Sequence, residues 1–242
     1  MFDLDLVIVY NKEDMLNEML ESVQATAGEL KVNVVALDNR NDKYKSASEA
    51  YNYAVRNLCE TQIIIFCHQD IIFFEGAIKN YYNCCNKNHN CLFGAAGVCL
   101  YTDTISNMQQ QRNGKRYDTL PSGGEKSVFT MDECLICGHK SIFEKVEFDE
   151  IVCDNWHFYA VDLCLQCHKN NIDVKVVDSN ICHLSGGDAN KSFYECERRV
   201  GQKYRKDYKI IKYTWGWSYT NPIKYAFQRV YRYLRYKQWN LK

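Results

Sequence analysis

The first seventy residues alternate two kinds of segment, and that alternation limits the possible folds more than any other feature of the chain. Residues 4–10 (LDLVIVY), 32–37 (VNVVAL) and 61–67 (TQIIIFC) are short and almost continuously apolar. Between them, residues 12–24 place Met15, Met19, Leu20 and Val23 at helical spacing, and residues 46–58 read as a second helix. Strands that lack polar alternation are buried on both faces, which calls for helices on both sides of a mainly parallel sheet. The expected fold class is therefore α/β.

The pattern changes downstream. Residues 92–100 and 127–137 predict further strands, 155–168 a helix and 174–177 a short strand, after which Ile181-Cys182-His183 leads into Leu184-Ser185-Gly186-Gly187. The polar stretch 101–126 is long for a connection inside a compact domain, so it is expected to serve the substrate side. Residues 221–242 differ in kind. Asn221-Pro222 is a good helix start, and Ile223, Phe227, Val230 and Leu234 then share one face of an amphipathic helix. This segment holds six basic residues and no acidic ones. Removing those six from the balanced 30 basic and 30 acidic residues leaves residues 1–220 with a net charge of −6. The helix has three destinations open to it: its own domain, an anionic membrane surface, or a partner. The natural division is a main domain over 1–205 and a basic, aromatic helical extension over 206–242.

A net charge of zero removes the basic footprint of a nucleic-acid binder. Nothing at the N-terminus reads as a signal peptide, and the most apolar window, 63–74, falls short of a bilayer span. A cytosolic protein is expected, with peripheral contact to the inner face of a membrane left open by its last helix. The thirteen cysteines include the pairs Cys134/Cys137 and Cys164/Cys167, which read as buried thiols in preference to a zinc site.

In open α/β sheets, ligands bind where strands end. The second strand ends in Asp38-Asn39 and the third in His68-Gln69-Asp70. An imidazole and a carboxylate flanking one residue can hold a divalent cation beside a diphosphate, or can merely cap the next turn.

The order of motifs resembles a known family. Val7-Ile8-Val9-Tyr10-Asn11, Val34-Val35-Ala36-Leu37-Asp38-Asn39, the ASEAYN segment at 47–52, the 63–70 strand end, and FEKVEFDE at 143–150 are similar to family 2 glycosyltransferases of the GT-A fold. His68-Gln69-Asp70, Trp156-His157-Phe158-Tyr159 before Asp162-Leu163, and His183-Leu184-Ser185-Gly186-Gly187 resemble its narrower streptomycin-biosynthesis-type branch. The resemblance spans residues 4–190 and implies an inverting, metal-dependent transferase using a nucleotide-diphospho-sugar donor, UDP by family habit, and a glycan or lipid-linked acceptor. It implies donor contacts from Tyr10, Asn11, Asp38 (at the nucleobase), Asn52, His68 and Gln69. Asp70 and His183 would hold Mn²⁺ or Mg²⁺, with imidazole favouring Mn²⁺. The family carries Glu-Asp where this chain has Tyr159-Ala160, so Asp162 becomes the first candidate for the base, with Asp154 and His157 behind it. Trp215, Trp217 and Tyr219 can stack on a sugar or pack the last helix. Two other readings stay open. One is a GT-A domain that binds nucleotide sugar, or a partner, without turnover. The other is a nucleotidyltransferase, although Tyr10-Asn11-Lys12-Glu13 is not a glycine-rich phosphate loop.

Overall fold

The computed structural model describes residues 1–100, 104–111, 114–117, 119–121, 123–186 and 189–240, with backbone alone for 236–240. In chain order the elements are β1 (Leu4–Tyr10), α1 (Glu13–Thr26), β2 (Val32–Asp38), α2 (Ala47–Asn57), β3 (Ile63–His68), β4 (Ile71–Phe73) and α3 (Ala77–Lys87). There follow β5 (Cys91–Gly94), β6 (Ala96–Val98), β7 (Thr104–Ser106), β8 (Gln109–Gln110), β9 (Glu125–Ser127), β10 (Thr130–Met131) and β11 (Leu135–His139). The last part holds α4 (Lys140–Lys145), α5 (Tyr159–Lys169), β12 (Asp173–Val177), β13 (Ile181–His183) and α6 (Lys191–Lys203). A hairpin of β14 (Ile210–Tyr213) and β15 (Gly216–Tyr219) then leads into α7 (Pro222–Asn240).

Seven strands form the central sheet in the order β2-β1-β3-β11-β5-β12-β9. β1 pairs in parallel with β2 and β3, and β12 with β5, whereas β11 runs antiparallel to both of its neighbours and β9 to β12. Five strands thus share one direction and two oppose it, so the sheet is mixed. The apolar strands are covered on both faces, as their composition requires. Val7, Val35 and Phe66 face a layer with α2 and α5, while Leu6, Ile8 and Ile65 face α1 and α3. Each such side chain, taken fully out of water, contributes about 1.5–3 kcal/mol. Asp5 is a buried carboxylate within β1, tolerated because it accepts from Asn33 Nδ2 (2.6 Å), Thr61 N (2.8 Å) and Thr61 Oγ1 (2.9 Å).

Local signals explain the ends of elements. Ser46 Oγ accepts from Glu49 N (3.1 Å) while Glu49 Oε2 accepts from Lys45 N (2.7 Å), a reciprocal cap that starts α2. Asn221 Oδ1 accepts from the amides of Ile223 and Lys224 (both 3.1 Å), so α7 begins where its Asn-Pro start predicts.

Three expected elements differ from the structure. The single strand expected over 92–100 is two: β5 stays in the central sheet, and β6 joins β10 and β7 in a second one. The strand expected over 127–137 is also divided: Ser127 ends β9, β10 joins the second sheet, and a turn at Glu133-Cys134 separates β10 from β11. The helix expected from 155 begins at Tyr159, since Asn155 Oδ1 accepts from His157 N (2.9 Å) and holds 156–158 as a loop. Cys134, Cys137, Cys164 and Cys167 are all buried thiols in the core. Among the described residues, no helix is long and apolar enough to cross a membrane.

Candidate active site

The parallel half of the sheet brings three strand ends to one edge. Tyr10 lies opposite Asp38 and Val9 opposite His68, so Asp38, Tyr10 and His68 end adjacent strands side by side. Gln69 stitches this edge together. Its Oε1 accepts from the amides of Asn11 (3.0 Å) and Lys12 (2.9 Å), and its Nε2 donates to Asn11 Oδ1 (2.8 Å). The polar groups of Gln69 and Asn11 therefore shape the loop after β1. Asp38 is half exposed and gripped by Arg40, with Nη2 2.6 Å from its Oδ2, and Arg40 also reaches Glu13 (2.7 Å). The Arg40 guanidinium brings the Asp38 carboxyl down to about 2 and lies 5.6 Å from the centre of the Tyr10 ring.

The turn after β3 places Asp70, and β13 supplies its partner. β13 pairs antiparallel with β4, setting His183 opposite Ile71, and Leu184 N donates to the Asp70 carbonyl (3.0 Å). His183 Nε2 consequently sits 3.5 Å from Asp70 Oδ1, and His68 Nδ1 lies 3.9 Å from the same oxygen. Their ligand atoms fall within 4.8 Å of one another, the one such His/Cys/Asp/Glu group of three or more among the described residues. Burial works to raise the Asp70 carboxyl, but His183, His68 and Ser185 hold it well below the usual carboxylate range. Burial and the neighbouring His183 bring His68 down to about 4, whereas His183 is raised because Asp70 outweighs its burial.

The tautomer of His68 follows from its outer partner. Tyr159 OH donates to the Glu133 carbonyl (3.0 Å), so at 2.9 Å it accepts from His68 Nε2. The bare Nδ1 of His68 then faces Asp70. A carboxylate and an imidazole lone pair turned toward one another, with a second imidazole beside them, form a donor set that fits a divalent cation. Two nitrogens and an oxygen suit Mn²⁺ better than Mg²⁺.

His68 and His183 form one wall of a cavity of about 150 Å³. The other walls carry Asp132, Glu133, His157, Trp156 and Gln110, and the hairpin adds Thr214 and Trp215. Residues 206–242 therefore help build the cavity. Gln110 comes from the long polar stretch, whose β8 pairs with β13 and sets Gln110 beside His183. Of the residues expected there, Gly187 lies outside the described residues, while Gly186 lines the cavity.

The candidate bases separate clearly. Asp162 is fully buried and away from the cavity lining; Lys203 Nζ lies 2.7 and 2.9 Å from its two oxygens, and Gln166 Nε2 donates to it (2.8 Å). Asp154 is exposed and paired with Arg199. His157 does line the cavity, with its ring edge-on to Phe193. Asn52 is also committed elsewhere, since its amide grips Phe148 in both directions (2.8 and 3.1 Å) and reaches Glu150 (2.7 Å).

Sequence reasoning missed Asp132 and Glu133. Asp132 accepts from Thr214 Oγ1 (2.7 Å) and from Cys134 N (3.1 Å). Burial pushes the Glu133 carboxyl well above its usual range, Asp132 beside it adds to the rise, and the Phe158 amide partly offsets it. The available signal was two adjacent carboxylates interrupting an otherwise apolar strand pattern.

No family model matches the chain, and no curated protein matches it in sequence. Solved structures do match. GalNAc-T7, crystallised with UDP, GalNAc and Mn²⁺, aligns with a TM-score of 0.58 and 10% identity over 85% of this chain and 48% of its own. S. aureus TarS 1–349 in complex with UDP-GlcNAc aligns with a TM-score of 0.52 and 13% identity over 82% of this chain and 65% of its own. The chain thus spans about half the length of the first neighbour and under two thirds of the second. At these identities the likeness is one of fold, the GT-A glycosyltransferase fold.

Proposed function

We propose that the protein is a metal-dependent glycosyltransferase that takes its sugar from a nucleoside-diphosphate donor. The observation that carries this reading is the Asp70–His68–His183 group at the ligand-binding edge of a GT-A sheet, opening on a cavity lined by two further carboxylates. In this reading Tyr10 and Asp38 receive the nucleobase, UDP being favoured. Gln69 and Asn11 hold the loop that frames the donor, and His68 stands between ribose and cation. A divalent cation held by Asp70, His68 and His183 would neutralise the charge developing on the departing nucleoside diphosphate.

In this reading Glu133, which lines the cavity, accepts the acceptor hydroxyl proton as the oxygen attacks the anomeric carbon with inversion. A carboxyl raised by desolvation and by a second carboxylate beside it suits such proton transfer. Asp132, fixed by Thr214, supports it, and His157 borders the same space. Trp156 and Trp215 are 39% and 53% exposed yet line the cavity, which suits stacking on the faces of a sugar. The acceptor in this reading is a glycan or a lipid-linked one, reached from the cytosolic side. The assignment to the streptomycin-biosynthesis-type branch is supported by the sequence motifs alone.

The test is calorimetric titration of uridine, guanosine, cytidine and thymidine diphosphates with and without Mn²⁺, followed by donor turnover. We expect one base to bind, with Mn²⁺ strengthening it at least about tenfold. Absence of diphosphate binding under both conditions would sink the proposal. Binding without turnover for any sugar offered would favour the non-catalytic sugar-binding reading.

A further inference from the structure

Helix α7 packs on the protein with its polar side. Tyr225 and Gln228 are both 8% exposed. Tyr225 OH donates to the buried Glu197 carboxylate (2.8 Å), and Arg232 Nη1 reaches both of its oxygens (2.9 and 3.2 Å). Gln228 accepts from Tyr219 N (3.0 Å) and donates to the Trp217 carbonyl (2.9 Å), closing the helix onto the hairpin. The apolar stripe points the other way. Ile223, Phe227, Val230 and Leu234 are 68%, 74%, 58% and 54% exposed. At about 100° per residue this stripe is centred roughly opposite Tyr225, Gln228 and Arg232. Of the three destinations open to the helix, packing the stripe on its own domain is thus excluded. Four large apolar side chains aligned in water mark an interaction surface.

The charges around the stripe identify what covers it. By the same spacing, Lys224 and Arg235 flank one side of the stripe and Arg229 the other, with Tyr231 and Tyr233 between them and the apolar centre. Arg229 is held in place over the Tyr194 ring at 3.4 Å. At the start of the helix, Lys224 shares an open cleft with Arg205, Lys206 and Lys209, and among the described residues no acidic side chain lines that cleft. A second copy docking stripe to stripe would bring like charges together, with no acidic residue in 221–242 to offset them. A bilayer carrying anionic headgroups offers the complement on every side, with acyl chains for the stripe and phosphates for the flanking cations.

We propose that α7 lies in the interface of an anionic bilayer, apolar stripe inward, with the Arg205–Lys206–Lys209–Lys224 cleft taking a lipid headgroup phosphate. Tyrosines at the edges of the stripe sit at headgroup depth, where an apolar ring and a polar tip are both satisfied. Trp215 and Phe193 line both the candidate active cavity and the groove along α7, so docking would set the cavity beside the membrane plane. That last consequence rests on the transferase reading; the docking itself does not.

The experiment is co-sedimentation of the full chain with vesicles of phosphatidylcholine plus phosphatidylglycerol, and with vesicles of phosphatidylcholine alone. We expect binding to the anionic vesicles, at least about tenfold weaker binding to the neutral ones, and loss of binding as salt is raised. The double variant Phe227→Glu/Val230→Glu should lose vesicle binding and keep its circular dichroism and melting temperature, since both side chains face water. Lys206→Glu/Lys209→Glu should lose the preference for anionic lipid. No binding to anionic vesicles, or binding that both variants retain, would overturn the proposal. So would a solution dimer that Phe227→Glu/Val230→Glu converts to monomer without any vesicle binding. Nucleotide titration of the same variants keeps the two proposals separate, because donor binding should be unchanged in all of them.

Discussion

Lys203 Nζ sits between the two carboxylate oxygens of Asp162, 2.7 and 2.9 Å away, and 2.8 Å from Asp149. The acidic residue that motif position singles out as the base is therefore held in a buried ion pair that ties α5 to α6. Burial raises the Asp162 carboxyl overall, and Lys203 offsets part of the rise. Removing one partner of such a pair costs about 3 kcal/mol, here by leaving the Lys203 charge with Asp149 alone among carboxylates. Asp162→Asn should lower the melting temperature by about 6–12 °C and leave donor turnover of the folded protein within a few-fold of the parent. Turnover lost at an unchanged melting temperature would restore Asp162 as the base.

Glu133 should behave in the opposite way. Its folded pKa is raised well above the ordinary value of about 4.3. The folded state thus holds a proton that the unfolded state releases, and stability falls as pH rises from the unfolded value through the folded one. Glu133→Gln removes that loss. The variant should melt higher than the parent at pH 8 and alike at pH 4, while kcat falls at least about 100-fold with donor affinity kept. A variant that melts lower at pH 8, or keeps its kcat, would remove Glu133 from the role.

The candidate cation site makes a prediction about a residue outside the Asp70–His68–His183 group. Tyr159 OH fixes the His68 tautomer by accepting from Nε2 and donating to the Glu133 carbonyl. Loss of such an outer partner typically costs about 10–100-fold in metal affinity. Calorimetry should find Mn²⁺ binding weakened by that factor in Tyr159→Phe and abolished in Asp70→Ala. Equal Mn²⁺ affinity in Asp70→Ala and the parent would place the cation elsewhere.

What could be read from sequence depended on whether an element's environment is written locally. β1 spans Leu4–Tyr10 as expected, because burial on both faces leaves an unbroken apolar run. His68-Gln69-Asp70 was legible as a strand end, yet the proximity of His183 depends on the β13–β4 pairing across 113 residues, which the motif resemblance anticipated and local periodicity did not. The ion pair of Asp162 was illegible, since its partner Lys203 lies 41 residues away on another helix. Asp132 and Glu133 were hidden by their apolar neighbours, which made a broken ladder look like one strand. The stripe on α7 was plain in the sequence; its direction was not. That direction is set by Glu197, which sits on α6 and draws in Arg232 and Tyr225.

Asp38 separates binding from stability most sharply. Arg40 lowers its carboxyl to about 2, below the ordinary value of about 3.9. The pair's contribution to stability is then present above the ordinary value and lost as pH falls through the lowered one. Both side chains are nearly half exposed, 45% for Arg40 and 40% for Asp38, so water screens the pair and little stability depends on it. Asp38→Asn should leave the melting temperature at pH 7 unchanged. If Asp38 meets the nucleobase, the same variant should weaken binding of the preferred nucleoside diphosphate by about tenfold or more, because a charged acceptor has been replaced by a neutral one. The loss should shrink for inorganic pyrophosphate, which has no base to contact. Titration of both ligands against parent and variant checks this, and an equal loss for the two would move Asp38 out of the nucleobase site.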